Sequence, residues 1–170
     1  MEALLFKQME FVRKRTLAAL DATEESMADQ LLDGVNNTLR WNYGHIFVSH
    51  DTLLYPLIGK QHHASEDLVK HFSMGTSPKD WIGNGPSLKE LRQYLEEQPE
   101  RMKQDFAGKL EEPLQKPFKL GEYELVSVGE VLSFAIWHEG LHQGTVNTIK
   151  RALGVEDLWS PVKEKQDQHI

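Results

Sequence analysis

The chain of 170 residues contains no cysteine. That absence excludes disulfides, thiolate metal ligands and a cysteine nucleophile. No run approaches the ~18 consecutive apolar residues of a membrane-spanning helix, so no membrane segment is expected. A basic block is missing too: 19 Lys and Arg stand against 26 Asp and Glu, a formal charge of −7. An acidic chain without a basic stripe is poorly suited to grasping a phosphate backbone, so nucleic acid is not an expected partner. The opening Met-Glu-Ala-Leu-Leu-Phe-Lys lacks a basic stretch followed by an unbroken apolar one. It does not read as a signal peptide, and a cytoplasmic location is expected. Histidine, by contrast, occurs eight times. With no thiol available, a transition-metal site has to be built from His, Asp, Glu or water.

Four segments carry helical periodicity. The first runs from about Glu2 to Asp21, with Leu5, Met9, Val12, Thr16 and Leu20 at steps of three and four. The second spans about Thr38 to Ile58, with Asn36 and Asn37 as N-cap types and Gly59 as a stop. Its inward stripe reads Trp41, His45, Val48 and Thr52. The third opens at Ser87, where Ser87 and Glu90 form a capping-box pattern, and continues through Leu91, Tyr94, Leu95, Met102 and Phe106. Pro99 lies inside it and predicts a kink or break near Gln98. The fourth opens with a second capping box, Ser127 and Glu130, and reaches about Leu153 before Gly154.

Two connections separate these segments. The long one, 59–86, is rich in Gly and Pro and holds His62, His63 and His71. It reads as a crossover with a short helix near Ser65–His71, its histidines solvated. The other, Gly108–Val126, contains Pro113, Pro117 and Gly121, with Tyr123–Val126 extended at most. Four long helices without a convincing strand predict an all-α four-helix bundle over residues 1–155. The crossover is long enough for the second and third helices to run parallel. Residues 156–170 read as a polar tail, mobile beyond Val162.

The chemistry concentrates in the fourth helix. His138 and His142 stand four residues apart, roughly 40° around the axis, on a stripe with Val131, Ala135, Thr145 and Ile149. Two inward imidazoles one turn apart make a bidentate platform for Zn, Ni, Cu or Fe. The second helix supplies a third ligand. His45 and His50 lie roughly 140° apart around the axis, so both cannot face one point. His45 shares the inward stripe of Trp41 and Val48 and is preferred, whereas His50 beside Asp51 is expected to be lateral or exposed. Three histidines with a fourth position open make a catalytic type of site, able to lower the pKa of bound water or to bind an anionic substrate atom. Asn42 and Glu139 are candidates to orient the rings from behind. Trp41, Trp137, Met9 and Met102 read as packing residues.

His138-Glu139-Gly140-Leu141-His142 also satisfies H-E-x-x-H, the zincin pattern with Glu as general base. A zincin needs a sheet to hold its peptide, and none is expected. The extended metzincin form is absent, since Gln143-Gly144-Thr145-Val146-Asn147 follows. A downstream third ligand would have to be Glu156, Asp157, Glu164, Asp167 or His169, near the chain end.

Trp41-Asn42-Tyr43-Gly44-His45-Ile46, Trp137-His138-Glu139-Gly140-Leu141-His142-Gln143-Gly144 and the helix end Lys150-Arg151-Ala152-Leu153-Gly154 together resemble segments of the DinB/YfiT-like superfamily. The resemblance covers about residues 1–155. It implies a four-helix bundle with a long crossover between the second and third helices, and frequent homodimers. It also implies a histidine triad for a divalent metal, zinc or nickel, which falls on His45, His138 and His142. Characterised relatives in that superfamily include S-transferases that use low-molecular-weight thiols, and an isomerase. The expected function is thus a metal-dependent, thiol-dependent S-transferase acting on small electrophiles, with the sulfur supplied from outside a cysteine-free chain. The alternatives are a hydrolase using a metal-bound hydroxide, a non-enzymatic stress-related metal or small-molecule binding protein, and a bundle without metal whose histidines are core residues.

Overall fold

The structure, a computed structural model, describes residues 1–162. It is mostly helical. Four long helices, α1 (Glu2–Asp21), α2 (Leu39–Leu54), α4 (Leu88–Phe106) and α5 (Val128–Ala152), are joined by a short α3 (Glu66–Phe72) and a hairpin of β1 (Pro113–Leu120) and β2 (Tyr123–Ser127). Helix α1 packs on α4 and α5, and α2 on α3, α4 and α5. No described helix is long and apolar enough to cross a membrane.

Side-chain caps set the helix starts. In both predicted capping boxes the serine hydroxyl accepts from the N3 backbone N–H, while the glutamate accepts from the serine N–H. At α2 the cap is Thr38 rather than Asn36 or Asn37: its hydroxyl accepts from Trp41 N–H at 3.2 Å. Helix α2 also ends earlier than the periodicity suggests. Pro56, which has no N–H to donate, sits in the 3-10 turn Tyr55–Ile58 that follows. The short helix in the crossover is present, capped by Ser65.

Pro99 does not break its helix; α4 runs through it. The proline leaves the Leu95 carbonyl without its usual N–H donor, and Arg13 of α1 fills the gap, its Nη1 donating to Leu95 O at 2.8 Å. The hairpin corrects the expectation of no convincing strand: Tyr123–Val126, expected to be extended at most, falls within β2, while β1 is the unexpected partner. Its strands pair antiparallel with an irregularity between Pro113 and Phe118, where Pro117 is accommodated. Two prolines in eight residues hide the strand pattern of β1. The hairpin lies against α5, with the rings of Phe118 and Phe134 5.9 Å apart.

Two apolar clusters form the core. One gathers Leu39, Tyr43, Ile46 and Phe47 of α2 with Phe72, Leu91, Leu95, Val146 and Ile149. The other gathers Met9, Leu54, Met102, Phe106, Val131, Leu132 and Ala135. Along each long helix a buried polar residue falls between the stretches that feed the two clusters: Arg13 in α1, His50 and Asp51 in α2, Gln98 in α4 and Glu139 in α5. On α5 the inward position expected for Thr145 belongs to Val146; Thr145 is exposed. Helix α2 is buried on every face from Leu39 to Asp51, so it has no single inward stripe. Gly44 permits this, because a Cβ there would lie 2.4 Å from the Phe72 ring.

After α5, Gly154 takes a positive φ of 85° and the chain folds back. The buried Lys150 ammonium donates to the carbonyls of Ala19 (2.8 Å) and Leu158 (3.1 Å), and the Arg15 guanidinium lies 3.6 Å from the centre of the Trp159 ring. The predicted mobility beyond Val162, and His169 with it, lies outside the described residues.

Candidate metal centre

Helix α2 presents His45, and α5 presents His138 and His142. One nitrogen from each ring lies within 4.8 Å of the others. The Nε2 atoms of His138 and His142 are 3.2 Å apart. Ligands about 2.0–2.1 Å from a tetrahedral ion lie roughly 3.3 Å from each other, so this spacing suits a shared cation.

Hydrogen bonds behind two of the three rings, His45 and His142, aim their lone pairs, whereas His138 Nδ1 has no partner among the described residues. His45 Nδ1 donates to the Phe72 carbonyl at 2.6 Å, which leaves its Nε2 unprotonated. Ser49 Oγ lies 3.2 Å from that Nε2. His142 Nδ1 donates to Asn42 Oδ1 at 2.8 Å, and the Asn42 amide is itself oriented because its Nδ2 donates to Thr38 O. Asn42 thus takes the orienting position expected of it. Burial pushes the rings toward the neutral form. It lowers His45 to about 4, the Phe72 carbonyl partly opposing, and His142 to about 3, with His45 and His138 adding to the effect. Burial lowers His138 as well. Neutral imidazoles with lone pairs crowded at 3.2 Å repel one another unless a proton or a cation lies between them. The donor set therefore fits a divalent metal, and the three residues could hold one.

His50 overturns its expected placement. It is wholly buried, with Nε2 3.1 Å from Ala135 O and 3.3 Å from Glu139 Oε2. The physical reason is that α2 has neighbours all round, so pointing away from the triad still means pointing into the protein. It does not join the triad. Glu139 does not orient the rings either. Arg13 Nε and Nη2 donate to its two oxygens at 2.9 and 3.0 Å, and Thr16 Oγ1 donates to Oε1 at 2.7 Å. Burial pushes the Glu139 carboxyl up, but Arg13, His50 and Thr16 outweigh it and hold the carboxyl below the usual range. A glutamate locked in this way is turned from the triad and is no general base, so H-E-x-x-H here is not a zincin motif. Arg13 escaped sequence reasoning, although it falls four residues after Met9 and three before Thr16 on the buried stripe of α1.

The triad opens into a cleft of about 1080 Å³. Its lining mixes polar side chains from the crossover and the approach to α2, among them Asn36, Asn37, Ser73, Ser77 and Lys79, with apolar Leu53, Met74, Phe118, Leu120 and Phe134, and with Lys119 of β1. Trp41 stacks on His45, ring centres 4.4 Å apart, and also lines the cleft. Trp137 is 58% exposed rather than packed. His62 and His63 are exposed and His71 is half-buried; none reaches the triad.

Two helices that converge three inward histidines beside an open cleft define a class of helical His-triad proteins. The chain belongs to the DinB superfamily, whose sequence model matches residues 8–146. No curated protein matches the chain closely enough to add a named relative.

Proposed function

We propose that this chain is a divalent-metal-dependent enzyme, a thiol-dependent S-transferase acting on small electrophiles, with His45, His138 and His142 as the metal ligands. The observation that carries the reading is the roomy cleft of mixed lining over the triad. Polar and apolar side chains both line the space above three neutral imidazoles, which suits two different reactants better than one. A bound divalent cation, zinc or nickel, would favour the deprotonated form of a thiol near neutral pH. The protein's own part is positional. Phe72 O and Asn42 fix the His45 and His142 rings, the polar side chains of the crossover receive the thiol's polar end, and Phe118, Leu120 and Phe134 receive the electrophile. The sulfur lone pair then forms a C–S bond, the leaving group departs with the electron pair of the broken bond, and the thiol proton passes to solvent.

The mutual packing of α1, α2, α4 and α5 supports a four-helix bundle with residues 55–87 as its crossover. The exposed apolar groove of Leu120, Tyr123, Leu125, Phe134 and Trp137 supports a homodimer, which sedimentation velocity tests.

The deciding experiment uses protein purified without a polyhistidine tag. Elemental analysis is expected to find a divalent metal, and the loaded protein to conjugate chlorodinitrobenzene with a low-molecular-weight thiol. His45→Ala is expected to lose both metal and conjugation while keeping its helical content. Ester hydrolysis without thiol would favour a hydrolase instead. Metal-loaded protein inactive with every small thiol tried would overturn the transferase reading.

A further inference from the structure

Acidic residues outnumber basic ones in this chain, 26 to 19. The triad's cleft reverses that balance: among the described residues its charged lining is Lys79 and Lys119, with no carboxylate. Lys119 is paired with Glu124 across the hairpin at 3.0 Å. Lys79, on the 3-10 turn Pro78–Asp80, has no ion-pair partner among the described residues and is exposed at the rim. Asn36, Asn37 and Ser77 also line the cleft and offer hydrogen bonds but no charge.

The floor of the cleft compounds the imbalance. Three neutral imidazoles bring no negative charge, and Glu139, adjacent to His138, is closed off by Arg13 behind the helix. A divalent cation held by the triad would face no acidic side chain across the cleft among the described residues, and the Glu139 carboxylate, which acts on His138 and His142 from behind the helix, is already paired with Arg13. Electroneutrality then falls to the ligand, and the rim ammonium extends the same demand outward.

We propose that Lys79 is a specificity-determining residue that reads a carboxylate on the small molecule whose other end meets the histidine triad. For the thiol this rests on the transferase reading; the preference for an acid group rests on the charge of the cleft alone. Such a ligand spans the cleft with an acid at one end and the metal-binding atom at the other.

The test measures dissociation constants by isothermal titration calorimetry on metal-loaded protein. Mercaptopropionate through mercaptohexanoate are each compared with their primary amides, and succinate and adipate with their monoamides. Absorbance of cobalt-loaded protein reports thiol coordination separately. The acids are expected to bind about two- to fivefold tighter than the amides at low salt, the range of an exposed ion pair, and high salt should erase the difference. Lys79→Gln should remove the preference and Lys79→Glu invert it, with the amides' affinities unchanged. Because Lys79 is exposed, both variants are expected to fold. Equal binding of acid and amide by the wild type, or a preference that survives Lys79→Gln, overturns the proposal. If thiols leave the cobalt spectrum unchanged while succinate still outbinds its monoamide through Lys79, the transferase reading fails and the acid-reading role of Lys79 stands.

Discussion

Replacing Arg13 by Met should be among the most damaging substitutions in the molecule. The Arg13 and Glu139 side chains are 2% and 1% exposed, and they meet through two hydrogen bonds at 2.9 and 3.0 Å. Removing one partner of a buried pair costs about 3–5 kcal/mol, because the remaining charge is stranded. Arg13 also supplies the donor for Leu95 O and for Gln98 Oε1, and a buried acceptor left unpaired costs about 1–3 kcal/mol. These terms overlap, so the expected total is about 4–6 kcal/mol. For a domain of this size that is a fall in Tm of roughly 10–20 °C. The assay is urea unfolding of metal-free protein, followed by far-UV circular dichroism, over a cycle of Arg13→Met, Glu139→Leu and the double variant. The double variant removes both charges but still leaves Leu95 O and Gln98 Oε1 without Arg13, so its loss should fall about 3 kcal/mol short of the sum of the two single losses, a shortfall that measures their coupling. Molar salt should change the coupling little, since the pair is shielded from solvent. A loss below about 1 kcal/mol for Arg13→Met, or a coupling near zero, would refute the reasoning.

Other consequences are as open to measurement. Asn42→Leu removes the acceptor of His142 Nδ1–H, and metal affinity by competitive chelation should drop about 10- to 100-fold with the fold intact. His45, His50 and His142 have folded pKa values of about 4, 4 and 3, below the ordinary 6.5, so the unfolded chain takes up protons first as pH falls. Stability of the metal-free protein should therefore be full above pH 6.5 and be lost as pH falls from there through about 4; an unfolding midpoint flat over that window would contradict it. Gly44→Ala puts a methyl 2.4 Å from the Phe72 ring, and overpacking of that kind costs about 1–3 kcal/mol. Because the Phe72 carbonyl holds His45, the same variant should also weaken metal binding, which calorimetry would reveal.

The triad was legible because its signal is local. His138 and His142 declare their shared face by spacing, and His45 shares a face with Trp41. The capping boxes at Ser87 and Ser127 and the short helix after Ser65 were legible for the same reason. Features that depend on partners distant in sequence were not. The place of His50 is not legible in the spacing, because helical periodicity implies one buried side for α2, while the fold surrounds that helix. The hairpin was hidden by Pro113 and Pro117, which are poor strand residues that an irregular pairing tolerates. Arg13 lies in a run of basic residues, Arg13-Lys14-Arg15, that resembles a solvated face. Its burial follows from Glu139, 126 residues away, and from a carbonyl that Pro99 cannot serve.

The polar layer between the two apolar clusters also governs sliding. Hydrocarbon against hydrocarbon discriminates poorly between one alignment of two helices and another displaced by a turn, roughly 5.4 Å. Arg13, Glu139, Gln98 and Asp51 discriminate sharply, since such a slip would bury each of them away from its partner. Because Glu139 adjoins His138 and Asp51 lies six residues beyond His45, the layer acts as a vernier between α2 and α5. It sets the height at which the three imidazoles meet.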